Sequence, residues 1–501
     1  MTYGSLYFGK DGFLYKKNGA VGNRRIFSLG LICNQPTNIN NKYVSGSGVN
    51  GAVSSNNYAI RRKMIRNSAN CVNNSCSINY FYLGYPLSYN NTCSLLLPRV
   101  TPYQVCSPFP FWGGLYNNNR RLSPFVGSEN GNLKWSKTVF SSSSSYSSPI
   151  ISKDGTIYIT DYTNGYLYAV NKNGTQNWSL NLSSAGVSQF SCSVTIGNNN
   201  TIYLSSGESI YAINDYGTYP SKKWETEYIG YPTSNILIGD DGAIYVVTYN
   251  NYLISFDPDT GELLNTIQLV LYDQTTIPMS GISIGSDGTI YVVTYYTDDS
   301  SNNYSILCAI NPDTFVEKWN YRISHGTDSY YSFSNPSIST DGTIYFVTTP
   351  LDTSGDVTLY AINKNGTLKW QNTITSTGYT YSSPTIGNNG SIYIGVVNSD
   401  DVTGTLFSIN PSTGSTNWSY TIDTPIILSS CLIDSNETLY FSTGSFSSST
   451  GKMFAVTTNT SGNPYTKWSK SLVNSSFTSP TMDSDGVVYT MTVNGTLYAF
   501  K

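Results

Sequence analysis

Four short patterns of apolar and polar positions recur along the chain in a fixed order. A Ser-Pro-x-Ile segment is followed by Gly-Thr-Ile-Tyr, then by Leu-Tyr-Ala-Ile-Asn, then by a segment ending in Lys-Trp. One round reads "SSPIISKDGTIYI" from Ser147 and "LYAVNKNGTQNW" up to Trp178. Runs of four to six β-branched and aromatic residues, bounded by Gly, Asn, Asp and Ser, predict short strands. The pairs Asp154-Gly155, Asp241-Gly242, Asp287-Gly288, Asp341-Gly342, Asn389-Gly390 and Asp485-Gly486 predict tight hairpins between the first two strands, because such turns need φ > 0. Calcium binding by these acids is set aside, since no bidentate Glu follows at the loop spacing such a site uses.

The rounds keep an even period. Pro149 and Pro384 lie 235 residues apart over five rounds, or 47 each, and Pro384 to Pro480 adds 96 over two. Four strands in that length make one blade of a β-propeller. Seven tryptophans (Trp135, Trp178, Trp224, Trp319, Trp370, Trp418 and Trp468) are expected at the end of a fourth strand, docking each blade on its neighbour. The third round carries Asn265 where a tryptophan is expected, and the eighth stops at "LYAFK" with no Lys-Trp strand. "NGNLKWSKTV", residues 130–139, supplies that missing strand before the first Ser-Pro segment. The expectation is an all-β chain: an eight-bladed β-propeller with four-stranded blades, residues 126–501, closed by an N-terminal outer strand and preceded by an irregular basic region, residues 1–125.

At "AINKNGTLKW" and "SINPSTGSTNW" the residues resemble the docking motif of the pyrroloquinoline-quinone (PQQ)-like propeller repeat. Gly366 with Trp370, and Gly414 with Trp418, stand at that motif's Gly-to-Trp spacing, whereas Asn363 and Asn410 replace its Asp. The family includes quinoprotein alcohol dehydrogenases and the bacterial outer-membrane assembly lipoprotein. The resemblance implies the fold; the motif itself is structural. For an enzyme of the family it would imply an axial quinone, a metal-binding carboxylate, a catalytic Asp, an Arg and a pair of adjacent cysteines.

Charge divides the chain. Residues 1–125 hold thirteen basic residues against one acid, Asp11, a balance of about +12; residues 126–501 hold fourteen against twenty-nine, about −15. The basic knot Arg61, Arg62, Lys63 and Arg66 is therefore read as an assembly arm, with residues 59–67 expected as a short helix. Its expected partner is an acidic propeller of another copy, in a homo-oligomer or filament, or another structural protein; a polyanion such as nucleic acid is the alternative. Tyrosine-rich segments such as Tyr295-Tyr296 and Tyr379-Thr380-Tyr381 are read as loops, which leaves glycan or protein binding as a second reading.

Five cysteines (Cys33, Cys71, Cys76, Cys93 and Cys106) fall in the basic region and are candidates for disulfides, with reduced thiols the alternative. One histidine, His325, read as a loop residue, and the absence of Cys-x-x-C make a zinc site a poor reading. No apolar run is long enough to insert in a membrane, and the opening residues show no secretory pattern, so synthesis in the cytoplasm is expected.

Catalysis finds little material. There is no Cys-Cys pair, the propeller's one arginine, Arg322, is expected beyond an outer strand, and the inner strands offer only Asp434 and Asp483. No catalytic residue, metal site or cofactor is expected, a PQQ-dependent dehydrogenase being the last alternative. The expected function is a non-enzymatic structural or interaction protein. The basic, cysteine-bearing arm loosely resembles virion-associated proteins of large DNA viruses, which implies a virion surface or fibre component.

Overall fold

The computed structural model describes residues 122–501 apart from short loop segments (142–146, 162–163, 183–192, 198–199, 207–208, 227–231, 233, 240, 249–250, 270–276, 279, 333, 351–354, 427–428, 446–449 and 460–461), together with the backbone of nine strands between residues 6 and 96. Two compact units are present, one formed chiefly by residues 1–106 and the other chiefly by the remainder. The basic knot of residues 61–66 lies outside the described residues, as do the expected helix around it and Cys106.

Among the described residues, the amino-terminal unit holds three small sheets. Phe13–Lys17 pairs with Asn23–Ser28 in the hairpin that "FLYKKNGAVGNRRIFS" encodes, within a four-stranded sheet. Gly30–Cys33 pairs with Cys93–Leu96, and Ala69–Val72, Ser75–Ile78 and Leu87–Asn90 form the third sheet.

Eight blades make up the larger unit, and no described residue is helical. The first blade shows the plan, with antiparallel strands Ile150–Ile151, Ile157–Asp161, Tyr166–Val170 and Gln176–Asn181 in that spatial order. Burial is complete in the first two strands and lapses in the fourth, whose pattern alternates toward solvent. The apolar core lies between blades. Ile150, Tyr158 and Leu167 of the first pack on Ile196, Ile202 and Ile213 of the second, and the same sharing joins the eighth blade to the first. Each such fully buried aliphatic side chain contributes about 1.5–3 kcal/mol, so the ring is held chiefly by its blade-to-blade faces.

The eighth blade takes strands from both ends of the unit. Leu133–Thr138 pairs with Thr496–Phe500, which pairs with Val488–Met491 and it with Thr481–Met482. Asn132 and Lys501 exchange both backbone hydrogen bonds at 2.8 Å. Contacts begin slightly ahead of residue 126: Leu122 bridges Ile433, and the Ser123 amide donates to the Ile433 carbonyl at 2.7 Å.

A second closure runs around the inner rim. The residue two places before the start of strand 1 donates its backbone N–H to the side chain of its counterpart in the next blade. Ser148 donates to Ser193 Oγ at 2.8 Å, Ser193 to Asn235 Oδ1 at 2.9 Å, Gly281 to Asn335 Oδ1 at 2.6 Å and Asn335 to Ser383 Oγ at 3.0 Å. Ser383 donates to Ser430, Ser430 to Ser479, and Ser479 back to Ser148 at 2.9 Å. The link from Asn235 to Gly281 has no side-chain acceptor, because glycine offers none. The Ser-Ser-Pro signature is thus the written form of a hydrogen-bonded hoop.

Candidate interaction surface on the fourth and fifth blades

The tryptophans lie inside the fourth strands, not at their ends as expected, because the strands pair beyond them. Each faces a small residue of the third strand: Trp178 faces Ala169, Trp224 Ala212, Trp319 Ala309, Trp370 Ala361, Trp418 Ser408, Trp468 Ala455 and Trp135 Ala499. A break in register falls beside each, which turns the indole toward the next blade. There Trp135 Nε1 donates to the Lys172 carbonyl at 2.8 Å, Trp319 to Lys364 at 3.1 Å, Trp370 to Pro411 at 2.9 Å and Trp468 to Ser128 at 2.8 Å. Each of the seven indoles also lies against the strand-2 tyrosine of its own blade, as Trp370 does against Tyr345 at 5.7 Å. These rings are consumed by packing.

Asp434 and Asp483, the two acids that follow inner strands, do not fit a quinone and its metal, because their carboxylates are already engaged. Asp434 is fully buried, and its carboxylate accepts from the amides of Gly127, Asn436 and Thr438 and from the Tyr440 hydroxyl. Asp483 is filled in the same way by the amides of Asp485 and Val487 and by the Tyr489 hydroxyl at 2.8 Å. Burial and the Asp483 charge push the Tyr489 phenol far above its usual range. Hairpin acids Asp287 and Asp341 hold Lys318 and Lys369. No group of three or more His, Cys, Asp or Glu among the described residues is placed to hold a metal.

The longest departure from the repeat is in the fourth blade. Strands two to four of the fourth blade, Ile290–Thr297, Asn303–Asn311 and Val316–Gly326, are longer than the five- and six-residue strands of the first. They prolong the sheet as a flap, and short strands Ile277–Pro278 and Tyr330–Tyr331 join the fourth and fifth blades beside it. Tyr295 and Tyr296 are strand residues, 9% and 7% exposed, and not the loop that the sequence suggested. The cause is that "YYTDDSSNNYS" folds as a hairpin. Asp298 accepts from the Ser300 and Asn302 amides, from Asn302 Nδ2 and from the Tyr304 hydroxyl. Those bonds hold its carboxyl below the usual range, the Asn302 side chain contributing most.

Asn303 ties the flap down. Its Oδ1 accepts from the hydroxyls of Tyr295 (2.6 Å) and Thr297 (2.8 Å), and its Nδ2 donates to the carbonyls of Thr327 and Asp328. Arg322 lies within the outer strand, not beyond it, with its guanidinium 5.0 Å from the Tyr304 ring and 5.7 Å from that of Tyr296. His325 is likewise a strand residue and not the expected loop residue: it stacks on Tyr330 at 5.0 Å and shares a hydrogen bond with Ser305 Oγ at 3.0 Å. Burial lowers its pKa to about 4, with Asp328 opposing weakly. Tyr331 stacks on Tyr295 at 4.6 Å.

Five tyrosines, one guanidinium and one neutral imidazole are thereby fixed together by the flap and the short Tyr330–Tyr331 strand of the fifth blade, with Arg322 exposed and Tyr304, His325, Tyr330 and Tyr331 half-buried. Rigid aromatic and arginine side chains are the groups that anchor protein interfaces. Tyr379 and Tyr381, the other pair read as loop, pack half-buried on Val397 and Phe477, with Tyr379 bridged to Val397. Sequence singled out neither Asn303 nor the pairing of Arg322 with tyrosines; the extra residues between Tyr291 and Cys308 were the signal available.

Several solved structures share this fold. They include BamB from Moraxella catarrhalis, at 12% identity and TM-score 0.54, covering 74% of this chain and 99% of that one. A europium-containing methanol dehydrogenase matches at 13% and 0.57, covering 78% and 98%. The quinohemoprotein alcohol dehydrogenase from Comamonas testosteroni matches at 12% and 0.59, covering 77% and 80%. No curated protein matches the sequence. At such identities the likeness is one of fold, shared by an assembly factor and by dehydrogenases. The family model for the outer membrane protein assembly factor BamB matches residues 116–267, 240–403 and 278–501, in keeping with the repeat, the docked tryptophans and the eight closed blades, and this chain belongs to that family.

Proposed function

We propose that the chain is a non-catalytic interaction protein. Its propeller is the scaffold, the flap of the fourth blade is its contact surface, and the basic arm carrying Arg61, Arg62, Lys63 and Arg66 links copies by meeting the acidic propeller of a neighbour. The observation that carries the non-catalytic reading is the engagement of Asp434 and Asp483, the two acids sequence placed near the inner strands, by amides of their own turns and by the Gly127 amide and the Tyr440 and Tyr489 hydroxyls. A carboxylate whose oxygens are already committed to such hydrogen bonds is a poor metal ligand or base. The arm's role rests on the charge division of about +12 against −15.

Sedimentation velocity on the full chain tests the arm. Replacing Arg61, Arg62, Lys63 and Arg66 by Ser should collapse a salt-sensitive oligomer to monomer, and an unchanged oligomer overturns the arm's role. Purified protein supplied with PQQ and calcium should show no dye-linked alcohol oxidation; sustained turnover overturns the non-catalytic reading. A place on a particle surface or fibre, a virion's among them, follows from the same reading and rests on the arm's loose resemblance alone. Electron microscopy of the native assembly distinguishes filament, particle and monomer.

A further inference from the structure

The amino-terminal unit places four of its cysteines in two facing pairs. In the register of Gly30–Cys33 with Cys93–Leu96, Cys33 stands opposite Cys93. In the register of Ala69–Val72 with Ser75–Ile78, Cys71 stands opposite Cys76. Four described strands of this unit contain a cysteine, and in each the residue across the ladder is another cysteine. Sequence spacing alone leaves the connectivity of five cysteines open; the two registers reduce it to one arrangement with Cys106 left over.

Opposed residues of an antiparallel ladder have Cα atoms about 4.5 or 5.5 Å apart, depending on the kind of pair. Both separations fall inside the span of about 4.4–6.8 Å that a disulfide bridges. We propose that Cys33–Cys93 and Cys71–Cys76 are the oxidation sites of this chain, each pair of thiols becoming one disulfide. In each step two S–H bonds break and one S–S bond forms. Two electrons and two protons pass to a disulfide donor such as oxidised glutathione, which leaves as two thiols. The two links differ in consequence. Cys71–Cys76 closes only a hairpin, whereas Cys33–Cys93 ties together segments sixty residues apart and spans the basic knot between them. It removes the larger share of unfolded-chain freedom, so oxidation would fix the ends of the arm-bearing segment.

Peptide mapping of the full chain tests this. The protein is equilibrated in glutathione buffer of oxidising poise, blocked with N-ethylmaleimide and cut with trypsin and chymotrypsin without reductant. Cys33, in tryptic peptide 26–42, should be recovered joined to Cys93 of peptide 67–99, and chymotryptic cleavage at residues 80–85 should separate that link from a closed Cys71–Cys76 peptide. Recovery of Cys33 joined to Cys71 or Cys76 would overturn the assignment, as would full alkylation of all four thiols. Cys93→Ser should leave Cys33 alkylated while Cys71–Cys76 stays closed; loss of both links in this variant also overturns the independence of the pairs. Oxidised against reduced wild type should differ severalfold in the rate of proteolysis between residues 34 and 92, and equal rates would remove the proposed consequence.

Discussion

The ring of Phe315, at the start of the fourth blade's outer strand, stacks 6.3 Å from Tyr245 of the third blade, over the place a docking tryptophan would fill. The third blade has Asn265 there, and Phe315 occupies a turn position with φ of 54°. Gly366 and Gly414 hold the corresponding position in later blades, where an added Cβ would lie 2.8 Å or less from Trp319 or Trp370. A missing large ring on one blade is thus answered by a large ring from the next, at some backbone strain. Phe315→Gly should cost about 2–4 kcal/mol by opening a cavity. Asn265→Trp alone should clash, and the pair together should recover most of the loss. Denaturant midpoints of the four proteins give the cycle, and additive effects would show that the two sites do not share one space.

The inner hoop makes a separable prediction. Ser148→Ala removes the acceptor for the Ser479 amide and leaves a buried donor unmatched, at about 1–3 kcal/mol. Gly281→Ser should be worse than neutral despite supplying the missing link, because its Cβ would meet Asn335 Oδ1 at 2.2 Å. Adding Asn335→Ser should relieve it. Thermal unfolding would read both effects, and a harmless Gly281→Ser would show that the hoop has room it is not using.

Removal of residues 495–501 takes away a strand paired on both sides, with Val488–Met491 and with Leu133–Thr138. The truncated ring should lose its single cooperative transition and expose two sheet edges. A frayed tail would lose nothing, so an unchanged melting temperature counts against closure by shared strands. Trp135→Ala should act in the same direction at about 3–5 kcal/mol.

The flap should respond to acid. His325 has a folded pKa of about 4 against 6.5 for the free side chain, so between those values only the unfolded flap binds the proton. Its contribution to stability is present above pH 6.5, declines as pH falls through that window and is fully lost below about pH 4. The imidazole proton resonances should titrate with a midpoint near 4; a midpoint near 6.5 would place the ring in water. His325→Phe should flatten the decline while keeping the stack on Tyr330.

Much of this architecture could be read from the sequence because each blade repeats the same physical demands. A φ > 0 turn, an alanine opposite an indole and a hydroxyl before a proline recur often enough to be seen. Even Trp135 could be assigned to the eighth blade, since its strand had no round of its own. What escaped were departures from the repeat. Tyr295 and Tyr296 read as loop because equivalent strands in most other blades end earlier, and only the Asp298 turn shows that the chain continues as a ladder. Asn265 announced a missing tryptophan, but its compensation lies fifty residues on, in a residue that by local rules should be glycine. Arg322 and His325 gain meaning only from tyrosines brought beside them by pairing.

The shared eighth blade also sets a timetable. Leu133–Thr138 is synthesised before any other strand of the ring, yet its hydrogen-bonding partner, Thr496–Phe500, is synthesised last. Seven blades can form in order behind it from contacts between near neighbours, which is fast, while the final contact spans more than 350 residues and is slow. Throughout that interval the nascent chain carries an unpaired strand at one end and a half-built sheet at the other, each a template for the wrong partner. The charges on Lys134 and Lys137 lie on the strand that waits longest, where they discourage another chain from completing the sheet in its place.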